Sequence, residues 1–132
     1  MRNGAPVSVE AAKKRLAARK LRLLNNAMSL IKSNDSGSPS FQGSFVENLH
    51  ESGIWNVDDF SKLSSAIHLY RVQAQDVEQS LEDLAPLIDR LMDYIGLLLK
   101  CHSNKRDGFV IKGINANEYE NLICSYNQCL DY

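Results

Sequence analysis

No apolar run in this sequence approaches the 20 or so residues that a helix needs to cross a bilayer, so no transmembrane span is expected. Glycine-rich phosphate loops and nucleophile elbows are also missing. Only three cysteines occur, Cys101, Cys124 and Cys129, and none belongs to a Cys-x-x-Cys pair. Cys124 and Cys129 are poorly spaced for joint ligation on one helix face, and adjacent residues such as Cys101 and His102 point about 100° apart on a helix. His50 and His68 have no neighbour at ligand spacing. No catalytic residue, cofactor or metal site is therefore expected, and the chain reads as a non-enzyme. With no apolar signal segment ahead of them, the three thiols fit a reducing compartment, cytoplasmic or nuclear, better than a secreted disulfide framework.

Net charge is almost absent too, at −1 over 132 residues, which argues against a polyanionic partner for the chain as a whole. That average conceals an asymmetry. Residues 1–33 carry eight basic side chains against Glu10, a net +7, and the remainder carries seven basic against fifteen acidic, a net −8. Within the basic part, Arg15, Arg19 and Arg22 share the side of a helix opposite the apolar stripe Ala17, Leu21, Leu24, Met28 and Ile31. An arginine stripe can contact an anionic membrane surface or nucleic-acid phosphates. Solvation, or pairing with Asp76, Glu78, Glu82 or Asp83, is the more ordinary fate of such a stripe.

What the sequence does have is a seam. Phe60, Leu63, Ile67, Tyr70, Ala74, Val77, Leu81, Leu84, Ile88, Leu91, Ile95 and Leu98 alternate three and four apart, the a and d pattern of a coiled coil. A strict heptad drifts about 20° per repeat around a straight helix, so a stripe held over six heptads implies supercoiling against another helix. One helix over 57–101 would measure about 67 Å at 1.5 Å per residue, whereas a globule of this size has a radius of gyration near 14 Å. Pro86 interrupts the pattern. An interior proline costs about 3 kcal/mol, and Asp83 can cap a second helix, so a kink or short joint is expected there, not a hairpin. Beyond Pro86 the flanks Leu87, Met92, Tyr94, Leu97 and Leu99 are apolar as well, so that half should touch at least two neighbours.

Around the seam, Ser8 is placed to cap a helix over about 9–32, and a capping box at Ser44 to Glu47 with Gly53 behind it predicts a short helix over 45–52. Trp55 reads as a core anchor and Asn56 as the next cap. Residues 33–43 have loop composition. They include the acceptor pattern Asn34-Asp35-Ser36 and the dipeptide Ser38-Pro39, both weak modification signals, and an unmodified flexible loop is the simpler reading. Phe109 to Ile111 reads as a lone extended segment that either packs over the helices or lends its edge to a partner. Asn115 to Glu118 opens a last helix over 116–130.

The expected fold is thus all-α, a single domain over 1–132, a helical bundle or coiled coil around one long helix. The expected function is a protein–protein interaction module, a subunit or adaptor of a homo- or hetero-oligomer. Its interface would be Phe60, Leu63, Ile67, Tyr70, Val77, Leu81, Leu84, Ile88, Leu91, Ile95 and Leu98. The alternatives are a self-contained four-helix regulator or chaperone, and a binder of nucleic acid or an anionic surface through Arg15, Arg19 and Arg22.

Overall fold

A computed structural model describes residues 8–76, 81–104 and 108–131. Its helices are α1 (Val9–Ser33), α2 (Phe45–Ser52), α3 (Val57–Ala74), α4 (Ala85–Ser103) and α5 (Ala116–Leu130), with no strand among the described residues. Local chemistry accounts for four of the five starts. Ser8 Oγ accepts from Ala11 N, Ser44 Oγ from Glu47 N and Asn56 Oδ1 from Asp59 N. Asn115 and Glu118 exchange both bonds of a capping box. Gly53 closes α2 at φ 65°, a left-handed conformation that a residue with a Cβ adopts only at a cost.

The helix expected over 57–101 is two helices. α3 ends at Ala74 and α4 begins at Ala85, and Pro86 sits in the first turn of α4. Proline cannot donate to the carbonyl four residues back, and its ring clashes with that oxygen, here the carbonyl of Glu82. The freed Glu82 carbonyl instead accepts from Tyr70 Oη at 2.8 Å, and the same hydroxyl accepts from Leu84 N at 2.8 Å. Tyr70, counted above as a member of the seam, thus serves the two backbone groups that the break exposes. The cap also shifts by one residue. Leu84 holds the N-cap position, and Asp83 Oδ1 accepts from Ala85 N at 3.1 Å. Because Tyr70 is only 4% exposed, Tyr70→Phe leaves Leu84 N without its partner. The expected cost is about 2 kcal/mol in urea unfolding with unchanged helix content; a loss below about 0.5 kcal/mol would show that the phenol does not hold the break.

Most of the seam on either side of the break is covered within this chain. Phe60, Leu63, Ile67, Tyr70, Leu84, Ile88, Leu91, Ile95 and Leu98 are all buried within this chain, and Leu81 is half-buried. Val77 lies outside the described residues, as do Glu78 and the polar lead 1–7. One apolar cluster takes Ile31 from α1, Phe45 and Leu49 from α2, Leu63 and Ile67 from α3, Ile88 and Ile95 from α4, and Leu122 and Cys129 from α5. A three-four alternation describes two 18- or 19-residue helices facing one core as well as it describes a 45-residue rod, because over two or three heptads the drift stays within the width of an apolar face. At one end Trp55 packs edge-on against Phe45 with ring centroids 4.9 Å apart, and 4.8 Å from Phe60.

α4 contacts α2 and α5, as its wide apolar circumference requires. Its pairing with α5 is antiparallel, since Tyr119 Oη donates to Leu99 O at 2.7 Å while Tyr126 Oη donates to Met92 O at 2.6 Å. Arg71 of α3 donates to Cys129 O at 3.1 Å, placing a cation at the negative end of α5.

The segment between α1 and α2 is a chain of turns closed by Ser38 N to Asp35 O, Phe41 N to Ser38 O and Ser44 N to Phe41 O, not an open loop. Asn34 anchors it. The side chain is buried, donates to Leu30 O and accepts from Val46 N at 3.0 Å, so it closes α1 and serves the start of α2 together. The segment Phe109 to Ile111 packs against the helices. Lys112 N donates to Gly53 O at 2.7 Å, Ile111 N donates to His102 Nδ1 at 2.9 Å, and the Ile111 side chain is buried.

Candidate interaction site

With nine of the described seam residues enclosed, the exposed apolar and charged surfaces are the places to look for a partner. One of them is on α1, which carries Val9, Leu16, Leu21 and Leu23 among the exposed large apolar residues. Its buried residues are Leu24, Ala27 and Ile31, all in the last three turns, where it lies along α3. Every residue from Ser8 to Leu23 is exposed. That stretch includes Val9 at 67%, Leu16 at 53%, Leu21 at 56% and Leu23 at 48% exposure, far above what a core position would show. Fifteen residues, 9–23, form this free half, about 22 Å of helix. A helix so short is marginal in water by itself. Here the anchored half supplies the nucleus, and no glycine or proline interrupts the helix between Val9 and Ser33.

Two apolar lines run along it. Ala17 and Leu21 continue, at the same three-four spacing, the stripe that Leu24, Met28 and Ile31 bring to the core. Val9, Leu16, Leu23 and Leu30 stand seven apart on the neighbouring flank. The second line runs into a shallow groove between α1 and α3, lined by Leu23, Asn26, Ala27, Leu30, Lys62, Ser65, Ala66 and Leu69. Around these lines stand Lys13, Lys14, Arg15, Arg19, Lys20 and Arg22 against Glu10, a net +5. Among the described residues, Arg15, Arg19 and Arg22 form no ion pair, and it is Lys32 that pairs with Glu82. The sequence brings these arginines forward as a stripe, but periodicity presents the apolar stripe opposite them, Leu21 included, as a core face and as an open one equally well. Separating the two readings requires knowing that α3 covers only the last part of α1.

A second concavity of about 390 Å³ lies between α2, α4 and the segment after α1. Phe41, Val46, Leu87 and Leu91 line it, and polar side chains stand at its edge. Tyr94 Oη is hydrogen-bonded to His50 Nδ1, Glu51 approaches His50 Nε2 at 3.5 Å, and Arg90 reaches Asp35 at 4.0 Å. The carboxylate, imidazole and phenol form a chain, but burial, followed by Glu51 and Cys101, pushes the Tyr94 hydroxyl above its ordinary pKa. A phenol harder to ionise than usual makes a poor nucleophile near neutral pH.

The cysteines are dispersed. Cys129 is buried with its Sγ 3.9 Å from Met92 Sδ, and burial raises its pKa against the opposing effects of Ser64 and Arg71, which suits a packing residue. Cys101 is half-buried and Cys124 exposed. His102, next to Cys101, spends Nδ1 on Ile111 N and lies against Tyr119 with ring centroids 4.9 Å apart. No group of three His, Cys, Asp or Glu side chains suited to a metal occurs among the described residues, and none of the described helices is long and apolar enough to cross a membrane. The chain matches no known protein family, and no curated protein or solved structure is significantly similar to it.

Proposed function

We propose that this chain is a non-enzymatic helical interaction module, a subunit or adaptor whose docking element is the free half of α1. The observation that carries this reading is the exposure of every residue from Ser8 to Leu23 on a helix that displays Leu16, Leu21 and Leu23 among six basic side chains. Leaving four large apolar side chains in water gains nothing for folding. Covering each side chain against a partner stabilises by roughly 1–2 kcal/mol. The partner surface that fits is apolar along its centre and acidic at its edges, packing on α1 as one strand of a short coiled coil and reaching the groove beside Leu69. The burial of Phe60, Leu63, Ile67 and Tyr70, and of Leu84, Ile88, Leu91, Ile95 and Leu98, within the chain favours a self-contained core that presents α1 over a core completed by a second chain.

The double substitution Leu16→Glu, Leu23→Glu separates binding from folding. Both sites are exposed, so unfolding free energy should change by less than about 1 kcal/mol. A photo-crosslinker placed at Ala12 in the full chain, in its native cells, should capture a protein in the parent and lose it in the double variant. No adduct, or one indifferent to the substitutions, would remove α1 as the docking element.

A second reading has its own observation, because Lys13, Lys14, Arg15, Arg19, Lys20 and Arg22 surround the helix instead of clustering on one face. Such a distribution suits phosphates. Binding to a duplex that weakens with salt along a log–log slope of about −3 or steeper would favour nucleic acid over a protein partner.

A further inference from the structure

We infer that the surface receiving the free half of α1 belongs to a second copy of this chain, in the groove between α4 and α5. The inference rests on the reading of α1 as the docking element and adds its occupant. The groove has a volume of about 620 Å³, with Leu97, Ile123 and Tyr126 in its lining. Leu97 is 53% exposed, and Leu130, one turn beyond Tyr126 on α5, is 45% exposed. These exposed leucines give the groove apolar edges of its own.

Charge selects the pairing. Asp93 lines the groove close enough to Tyr126 to help burial raise the phenol's pKa. Asp89 lies one turn before Asp93 on α4, and Glu120 three residues before Ile123 on α5. Lys100 is the one base in the lining. The free half of α1 carries +5 and the chain after residue 33 carries −8. Two free halves would repel one another, which disfavours side-by-side pairing of α1 with α1. The same chain cannot fill its own groove, because α1 runs unbroken from Val9 to Ser33 with its last turns held against α3. Bending its first half back would require a break that no glycine or proline supplies. The basic, leucine-bearing half of one copy and the leucine-bearing groove of another, at and around which Asp89, Asp93 and Glu120 outnumber Lys100, are then complementary in both respects. Reciprocal exchange between two copies would occupy both grooves, whereas one-way docking would propagate into a chain of molecules.

Sedimentation of the full chain from about 1 µM to 1 mM tests the proposal. The mass should rise above the monomer value with concentration, and association should weaken at least tenfold between 20 mM and 500 mM salt. Lys13→Glu, Lys14→Glu, Lys20→Glu in one variant, and Asp89→Lys, Asp93→Lys, Glu120→Lys in another, should each sediment as monomers. Mixed, they should associate again, because the reversed helix of the first now meets the reversed groove of the second. A parent chain that stays monomeric at 1 mM and low salt overturns the proposal. So does self-association that ignores reversal of the groove, or a mixture of variants that fails to associate. A monomer that nevertheless crosslinks through Ala12 to a different protein would leave the docking role of α1 standing and remove only the second copy as its occupant.

Discussion

Ile95→Asp is expected to unfold this chain at every protein concentration. Ile95 has 0% of its surface exposed and sits in the middle of α4 within the common apolar cluster. The substitution removes its packing, about 3 kcal/mol for a side chain of this size, and asks the same site to hold a carboxylate, which costs several kcal/mol more whether it ionises or takes up a proton. A domain of this size has about 5–15 kcal/mol in all, so most of its stability is consumed. Leu97→Asp, two residues away on the exposed side of the same helix, should stay within about 0.5 kcal/mol of the parent. Circular dichroism and urea unfolding at two concentrations a hundredfold apart decide the matter. A folded monomeric Ile95→Asp that had merely lost an assembly would mean that the seam serves a second chain. Unfolding of the chain at both concentrations means that it serves α2, α3 and α5.

Gly96→Ala is expected to destabilise the protein by about 2 kcal/mol, although helix propensity alone favours alanine over an interior glycine by about 1 kcal/mol. A Cβ built on Gly96 would stand 2.4 Å from Tyr126 Oη and 3.0 Å from Cζ. The hydroxyl cannot retreat freely, because it donates to Met92 O at 2.6 Å on the same face of α4. The substitution must therefore push the α5 ring outward and break that bond. Tyr126→Phe removes the atom in closest conflict, so in that background the cost of Gly96→Ala should fall by at least 1 kcal/mol, a coupling that a double-mutant cycle reads directly. The ring reports independently. Burial comes first among the causes that raise the Tyr126 pKa, ahead of Asp93 and Cys129. A ring displaced towards water should therefore ionise at lower pH than in the parent, which absorbance at alkaline pH follows. Additive substitutions, or an alanine that stabilises, would show that the ring has room.

Both expectations depend on particular neighbours, and they mark where sequence reasoning stopped. The caps at Ser8, Ser44, Asn56 and Asn115 and the left-handed close at Gly53 lie within three or four residues of the groups they serve, so short spacing made them legible. Trp55 as an anchor was readable for a similar reason, standing between two capped helices with aromatic residues on both sides. Nothing local announced that the Glu82 carbonyl freed by Pro86 would find Tyr70, twelve residues earlier. Without that partner the proline could be read as a kink, and the seam on either side of it as one rod.

The free half of α1 shows the same division. Its composition, its amphipathic repeat and its arginine stripe were present in the residues themselves, because helical period and charge are properties of one segment. Periodicity says which residues share a face and not how far along the helix a neighbour extends. By sequence alone, then, the chain was determined to be helical, with four of its five starts, its main stop at Gly53 and the unequal charge of its two parts. Tertiary structure decided that the seam residues from Phe60 to Tyr70 and from Leu84 to Leu98 turn inward and that Leu16, Leu21 and Leu23 are left out, because burial depends on which surfaces meet across the fold, and α3 ends before it can cover the beginning of α1.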